Sequence, residues 1–225
     1  MERIAFEKMG IGGQRELLDQ VVVRAQKYFA DAEGIHGWDH SLRVLRLSLV
    51  IAKKIKADPK IVALAAILHD IAREDETNSG GTVSHAERGA IVADKILEDL
   101  GVDSDTRNKV HHCISSHRIK NNIRPDTPEA KAVYDADKLD AIGAVGIGRD
   151  FMFAERLGAH LHNTIPLEQT KEYTSEDTAW REYMVNLRFI KDKMLTKPGK
   201  KIAKSRHDFM VKFFNRFLKE VEGKL

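Results

Sequence analysis

Apolar residues recur along this chain at three- and four-residue spacing. Leu42, Leu45, Leu49 and Ala52 form one such series, and Ile61, Leu64, Leu68 and Ile71 form the next. Each predicts a helix, and Asp58-Pro59 separates them with the proline placed for a first helical turn. Ser84-x-x-Glu87 reads as a capping box that opens a helix towards Leu100, and Gly101 is its stop. Another helix is predicted from Ser104 to about Arg118, and Thr127-Pro128 opens one that carries Asp137. The nearest approach to a strand, Val21 to Val23, sits inside a better helical window that starts near Gln14. A last helix, from about Lys200 to Val221, carries Ile202, Met210, Phe213, Phe214, Phe217 and Leu218 as a stripe for the core. Loops are expected at Arg73 to Val83, Lys120 to Asp126 and His160 to Ser175. Nothing repeats and no boundary stands out. The expectation is therefore an all-α chain, a single domain over residues 1–225, with a C-terminal helical extension after about residue 140.

Composition narrows the function. With 42% hydrophobic and 32% charged residues, the chain can bury a core beneath an ordinary polar surface. A formal charge of +3 over 225 residues gives no reason to expect nucleic acid or an anionic membrane as the main partner. Cys113 is the single cysteine, which excludes an internal disulfide and a multi-cysteine zinc site. Residues 1–13 lack an apolar stretch of signal-peptide length. The longest apolar run, Ile61 to Leu68, falls far short of the roughly 20 residues that a bilayer demands. A cytoplasmic location is the resulting expectation. Ten histidines are the oddity, and many lie between His36 and His117.

His69-Asp70 closes an apolar helix. Two ionisable groups directly after Leu68 are costly unless something satisfies them. Adjacent helical residues diverge by about 100°, yet both can straddle an ion approached from the helix end. The plain alternative is a C-terminal histidine beside a surface aspartate. His40 lies near the start of the preceding helix, within His36-Gly-Trp-Asp-His40, and Asp137 lies on a later one. Two imidazoles and two carboxylates suit Mn, Fe, Ni, Co, Zn or Mg, with geometry setting the choice. An ion in such a set lowers the pKa of water and polarises a phosphoryl oxygen.

The order His40, His69-Asp70, Asp137 resembles the H…HD…D signature of HD-domain phosphohydrolases. The stretches His69-Asp-Ile-Ala-Arg73, Asp135-Ala-Asp-Lys-Leu-Asp-Ala-Ile-Gly143 and Ala203-Lys-Ser-Arg-His-Asp-Phe-Met210 resemble its bacterial YedJ/YpgQ-like branch, over nearly the whole chain. The resemblance implies a helical HD bundle, a metal-binding core at about residues 36–140, and hydrolysis of phosphoester or phosphoanhydride bonds of nucleotides. Nucleoside triphosphate pyrophosphohydrolysis is the reaction expected first. In dinuclear members of the family an H…HD…H…H…D pattern supplies a second ion, and His85 and His117 match its order. Otherwise they bind phosphate or a neighbouring carboxylate, with one ion present. His111 and His112 are lesser candidates for that place.

Arg73 matches a position where HD proteins place a basic residue near phosphate, and can hold one through two hydrogen bonds. Complementing a helix C-terminus is its plain alternative. Glu74, Asp75 or the second oxygen of Asp70 is the expected base, and Lys138 can reach phosphate or make a surface ion pair. Gly143, Gly146 and Gly148 lack the Lys-Ser/Thr of a P-loop and read as close helix packing. His160 and His162 read as loop surface or lid, and the lysines from Lys191 to Lys204 as a solvated face. Rival readings are a dinuclear phosphodiesterase, a diadenosine polyphosphate hydrolase, and a regulatory HD protein that holds metal and nucleotide without turnover. A homodimer through the aromatic stripe is the alternative to internal packing.

Overall fold

The computed structural model describes residues 4, 6–29, 35–118 and 123–225. Within these, every regular element is helical and no strand occurs. None of the helices is long and apolar enough to cross a membrane. The chain divides into two compact units, residues 1–137 and 138–225.

The first unit is built around one helix that is apolar on every side. Helices α1 (Arg15–Ala25), α2 (Trp38–Ile55) and α3 (Pro59–Leu68) are followed by α4 (Arg73–Asn78), α5 (His85–Asp99), α6 (Ser104–Ser116) and α7 (Pro128–Asp140). The last of these crosses the unit boundary. Residues Ile61 to Leu68 of α3 are all buried, and α1, α2, α5 and α6 pack around them. A helix without a polar face is stable only when neighbours enclose it, which fixes α3 at the centre. Polar N-caps set where the surrounding helices begin. Asp58 accepts from the backbone of Lys60 at 2.8 Å, Asp103 from Thr106 at 2.9 Å and Thr127 from Ala130 at 3.1 Å. Ser84 supplies the expected cap to Glu87, and Gly101 ends α5 region at φ +72°.

The structure departs from the expected loops in one place that matters. The segment expected as a loop from Arg73 to Val83 begins with α4. Its first turn carries Glu74, Asp75 and Glu76, which suit the positive end of a helix. With no apolar residue to mark a period, nothing in its hydropathy reveals the helix. At α6 the regular helix ends at Ser116, with His117 as its C-cap rather than within it.

The second unit contains α8 (Gly143–Arg156), α9 (Ala179–Val185) and α10 (Lys197–Val221). Helix α10 starts earlier than the expected Lys200, because Thr196 caps the backbone of Gly199 at 2.9 Å. Met210 and Phe214 of its stripe are buried, while Ile202, Phe213, Phe217 and Leu218 are half-buried. Phe214 stacks on Tyr183 of α9 at 4.5 Å between ring centroids, and Phe213 and Phe217 meet Phe151 of α8. Internal packing therefore takes up Met210 and Phe214 fully and the rest of the stripe in part. Gly143 and Gly146 do serve close packing: a Cβ at Gly146 would lie 2.3 Å from the Ala141 carbonyl oxygen. Gly148 faces open space. His160 and His162 are exposed in an irregular stretch.

Candidate metal centre

The end of α3 sets the site. His69 is the C-cap residue of that buried helix, and the chain turns there so that His69 and Asp70 both face inward. The first turn of α2 brings His40 opposite, and the last turns of α7 bring Asp137. His40 and His69 are fully buried, Asp70 is 1% exposed and Asp137 9%. Their donor atoms converge. His40 Nε2 lies 3.3 Å from His69 Nε2, 3.6 Å from Asp70 Oδ2 and 3.3 Å from Asp137 Oδ1. His69 Nε2 lies 3.7 Å from Asp70 Oδ2 and 3.9 Å from Asp137 Oδ1. Bonds of about 2.1 Å to a common ion place neighbouring donors roughly 3 to 4 Å apart; His40, His69 and Asp137 form a group that could hold a divalent cation, and Asp70 Oδ2 adjoins its two imidazoles.

The imidazoles are held in the tautomer that such a site uses. His69 Nδ1 donates to the Ala66 carbonyl at 2.9 Å, which leaves the Nε2 lone pair facing the other donors. Burial lowers the His69 pKa to about 4, although Asp70 and Asp137 oppose it. Burial alone would raise the Asp70 carboxyl, but the charge of Arg73, with His69, His117 and His36, holds it well below the usual range. His69 is thus a neutral imidazole and Asp70 an ionised carboxylate, the forms that bind metal.

A second group lies beside the first. His85, from the start of α5, and His117, from the end of α6, bring their Nε2 atoms within 3.1 Å. They stand 3.5 Å and 3.7 Å from Asp70 Oδ1, the oxygen that the first group does not use. His85, His117 and Asp70 form a three-donor group of their own. Arg73 Nε donates to the same Asp70 oxygen at 3.2 Å.

Three placements correct the sequence reading. Arg73 opens α4 and donates to Asp70 and, at 3.2 Å, to Glu76. Glu74 and Asp75 are exposed, and Asp75 takes Arg88 instead. The acid that faces the histidines is Glu76, whose Oε2 lies 2.6 Å from His85 Nδ1 and whose Oε1 accepts from Arg118. On a helix, residues three apart share a face, so Glu76 follows Arg73 inward while Glu74 turns out. His36 is the other addition: its Nδ1 lies 3.2 Å from Asp70 Oδ2, and with His40 and Asp70 it makes a third possible ligand group. Of the lesser histidines, His111 is exposed and His112 pairs with Asp126 at 2.6 Å. Lys138 follows Asp137 on α7 and is half-buried.

Comparison with known proteins places this constellation. The HD domain pattern matches residues 37–142. The chain is 33% identical over 212 residues to YpgQ of Bacillus subtilis, covering 91% of this chain and 94% of that protein. The chain belongs to the HD-domain superfamily, in its YpgQ-like branch. The crystal structure of YpgQ in complex with ADP superposes with a TM-score of 0.72 at 29% identity, over 92% of this chain and all of that one. An HD-superfamily hydrolase from Bacillus thuringiensis gives 0.73 at 27% identity, over 93% of this chain and 98% of its own. Ribonuclease Y of Borreliella burgdorferi is 30% identical over 142 residues, which is 62% of this HD protein but 25% of that enzyme. The HD fold is that of a hydrolase superfamily, and the His/Asp groups of this HD protein can hold a metal.

Proposed function

We propose that this HD protein is a metal-dependent phosphohydrolase of nucleotides, and that it cleaves nucleoside triphosphates to monophosphate and pyrophosphate. The observation that carries the reading is that the buried His40 and His69 Nε2 atoms lie within 3.3 to 3.9 Å of each other and of Asp70 and Asp137 oxygens. The crystal structure of YpgQ with ADP supports a nucleotide as the ligand class.

In this reading the four residues hold one divalent ion, drawn from Mn, Fe, Ni, Co, Zn or Mg. When bound, the ion supplies Lewis-acid polarisation of phosphate and a lowered pKa for water. The rest falls to side chains. Ala66 and Ile114 carbonyls fix the His69 and His117 rings, so neither has to reorient as substrate arrives. Arg73, beside Asp70, offsets charge on the phosphate. The second oxygen of Asp70 is the base in this reading, since Glu74 and Asp75 are exposed.

A dinuclear reading, with phosphodiester or diadenosine polyphosphate hydrolysis, is favoured by one observation: Asp70 presents a different oxygen to each histidine pair. The Arg73 guanidinium on that second oxygen already provides positive charge there, which favours a single ion. Turnover of a nucleotide panel with manganese, with products resolved as pyrophosphate or single phosphates, tests the proposal. Pyrophosphate release that is abolished in Asp70→Ala and retained in Glu74→Ala is the expected result. Metal bound at one equivalent supports the mononuclear form, and two equivalents the dinuclear one. Metal binding without turnover of any nucleotide would leave a regulatory protein instead.

A further inference from the structure

Glu76 is an anion surrounded by cation and proton donors at the edge of the metal centre. Its Oε2 takes His85 Nδ1 at 2.6 Å and Arg73 Nη1 at 3.2 Å, while its Oε1 takes Arg118 Nη1. Arg118 Nη1 also lies 3.2 Å from His85 Nδ1, so the three donors crowd one small volume. Two guanidinium groups and an imidazole N–H converging on one oxyanion are the donors that a phosphate group would recruit.

We propose that Arg73, Arg118 and His85 form a phosphate pocket that Glu76 occupies in the free protein and yields to a phosphate group of the substrate. This deepens the hydrolase reading and rests on it for the identity of the ligand.

Three features argue for displacement over a fixed structural role. The side chains of Glu76, Arg73 and Arg118 are 16%, 29% and 25% exposed, so a ligand reaches them from solvent, whereas the His85 side chain is fully buried. Charge favours the exchange, because a phosphate group carries roughly two negative charges near neutral pH against the single charge of a carboxylate. The tether is also short and yielding. Helix α4 has six residues and is followed after Ser79 by Gly80 and Gly81, both at positive φ with open space around them. The pocket lies on the opposite side of the His85 ring from Asp70 Oδ1, since Nδ1 faces Glu76 and Nε2 faces Asp70. Arg73 joins the two places, through Nε at Asp70 and Nη1 at Glu76, so a phosphate at Arg118 adjoins one at the metal donors and polyphosphate-bearing nucleotides are favoured over monoesters.

Calorimetric titration of inorganic phosphate and of ADP tests the pocket, in wild type, Glu76→Gln, Glu76→Ala and Arg118→Gln. Each is run with manganese and with EDTA, and thermal midpoints verify folding. Removing an occupant that fills the pocket most of the time raises apparent affinity by its occupancy factor, so both Glu76 variants bind about tenfold tighter. Arg118→Gln binds about tenfold weaker, having lost a charge-assisted contact. The EDTA arm isolates the arginine pocket from the metal centre. Equal or weaker binding in the folded Glu76 variants overturns the proposal, as does unchanged binding in Arg118→Gln. Turnover by wild type together with unaltered phosphate binding in Glu76→Gln removes this pocket and leaves hydrolysis standing. Tighter phosphate binding without turnover by wild type does the reverse.

Discussion

His85 and His117 point their Nε2 atoms at each other across 3.1 Å. His117 Nδ1 donates to the Ile114 carbonyl at 2.6 Å, and His85 Nδ1 sits 2.6 Å from Glu76 Oε2. Once each Nδ1 carries its proton, two lone pairs face one another, and two acceptors at that distance repel. The Nε2 atoms of His40 and His69 also approach within 3.3 Å. Such pairs are unfavourable until a cation enters, so metal binding and folding are coupled. At a free ion concentration 100 times the dissociation constant, binding adds about 2.7 kcal/mol. For a chain of this size that raises the thermal midpoint by roughly 5 to 10 °C. Thermal denaturation with and without manganese reads the shift. Asp137→Ala should abolish it and Glu74→Ala should keep it; a full shift in Asp137→Ala would remove Asp137 from the ligand set.

Without metal the same pocket should fail in acid. Burial lowers the pKa of His69 to about 4 and of His85 to about 3. Unfolding restores their ordinary values near 6.5, so the unfolded chain takes up protons that the folded one refuses. Stability therefore rises with pH through this window and is lost as pH falls from about 6.5 towards 4. Each fully buried histidine contributes up to about 1.4 kcal/mol per pH unit. The two together outweigh the opposite slope of one buried carboxyl, Asp150. The depressed carboxyl of Asp70 has the histidines' sign but acts lower, below the ordinary carboxylate pKa of 3.8. Urea unfolding in EDTA across pH 4 to 6.5 measures this, and a flat profile would contradict it.

How much of this site could be read from sequence depended on whether a residue lay in a patterned helix. Helices α2, α3, α5 and α6 announce themselves by apolar spacing and polar caps, which placed His40, His69, His85 and His117 at helix ends or faces. That these ends meet was not in any local pattern; the resemblance to HD proteins supplied it, and the packing around α3 explains it. Glu76 and Arg118 were missed for a physical reason. Helix α4 is wholly polar apart from its flanks, so no period revealed that Arg73 and Glu76 share a face. Glu74 and Asp75, two of the expected bases, are exposed instead. His36 precedes α2, where helical spacing gives no guidance to its contact with Asp70.

The corner between α7 and α8 offers a test of packing. At Gly146 an added Cβ would sit 2.3 Å from the Ala141 carbonyl oxygen and 2.4 Å from its carbon, both backbone atoms that cannot swing aside. Gly146→Ala must shift one helix end against the other, and overpacking of this kind costs about 1 to 3 kcal/mol. At Gly148 nothing lies within 4 Å of the added atom. Gly148→Ala there should be neutral or stabilising by up to about 1 kcal/mol, because alanine favours a helix interior. Denaturant midpoints of the two variants separate these cases. Equal midpoints would show that the corner relaxes freely.

Asp150 of α8 is buried at 5% exposure, and its Oδ2 has no hydrogen-bond partner. Burial, with Glu182 and Asp177 nearby, pushes its carboxyl up to about 9. Asp177 cannot give up its own partners to help, because Arg181 holds one oxygen at 2.9 Å and the Tyr173 backbone the other at 2.9 Å. Asp150 is therefore protonated in the folded protein at neutral pH and ionised in the unfolded chain. Its folded pKa exceeds its unfolded value of 3.8, so its contribution to stability falls as pH rises from about 4 to about 9. The slope approaches 1.4 kcal/mol per pH unit within that window. Asparagine has nearly the same shape and no proton to lose. Asp150→Asn should match wild type near pH 4 and exceed it progressively towards pH 8. Urea unfolding of both proteins at matched pH decides the matter, and parallel pH profiles would mean that Asp150 is ionised and satisfied in the folded state.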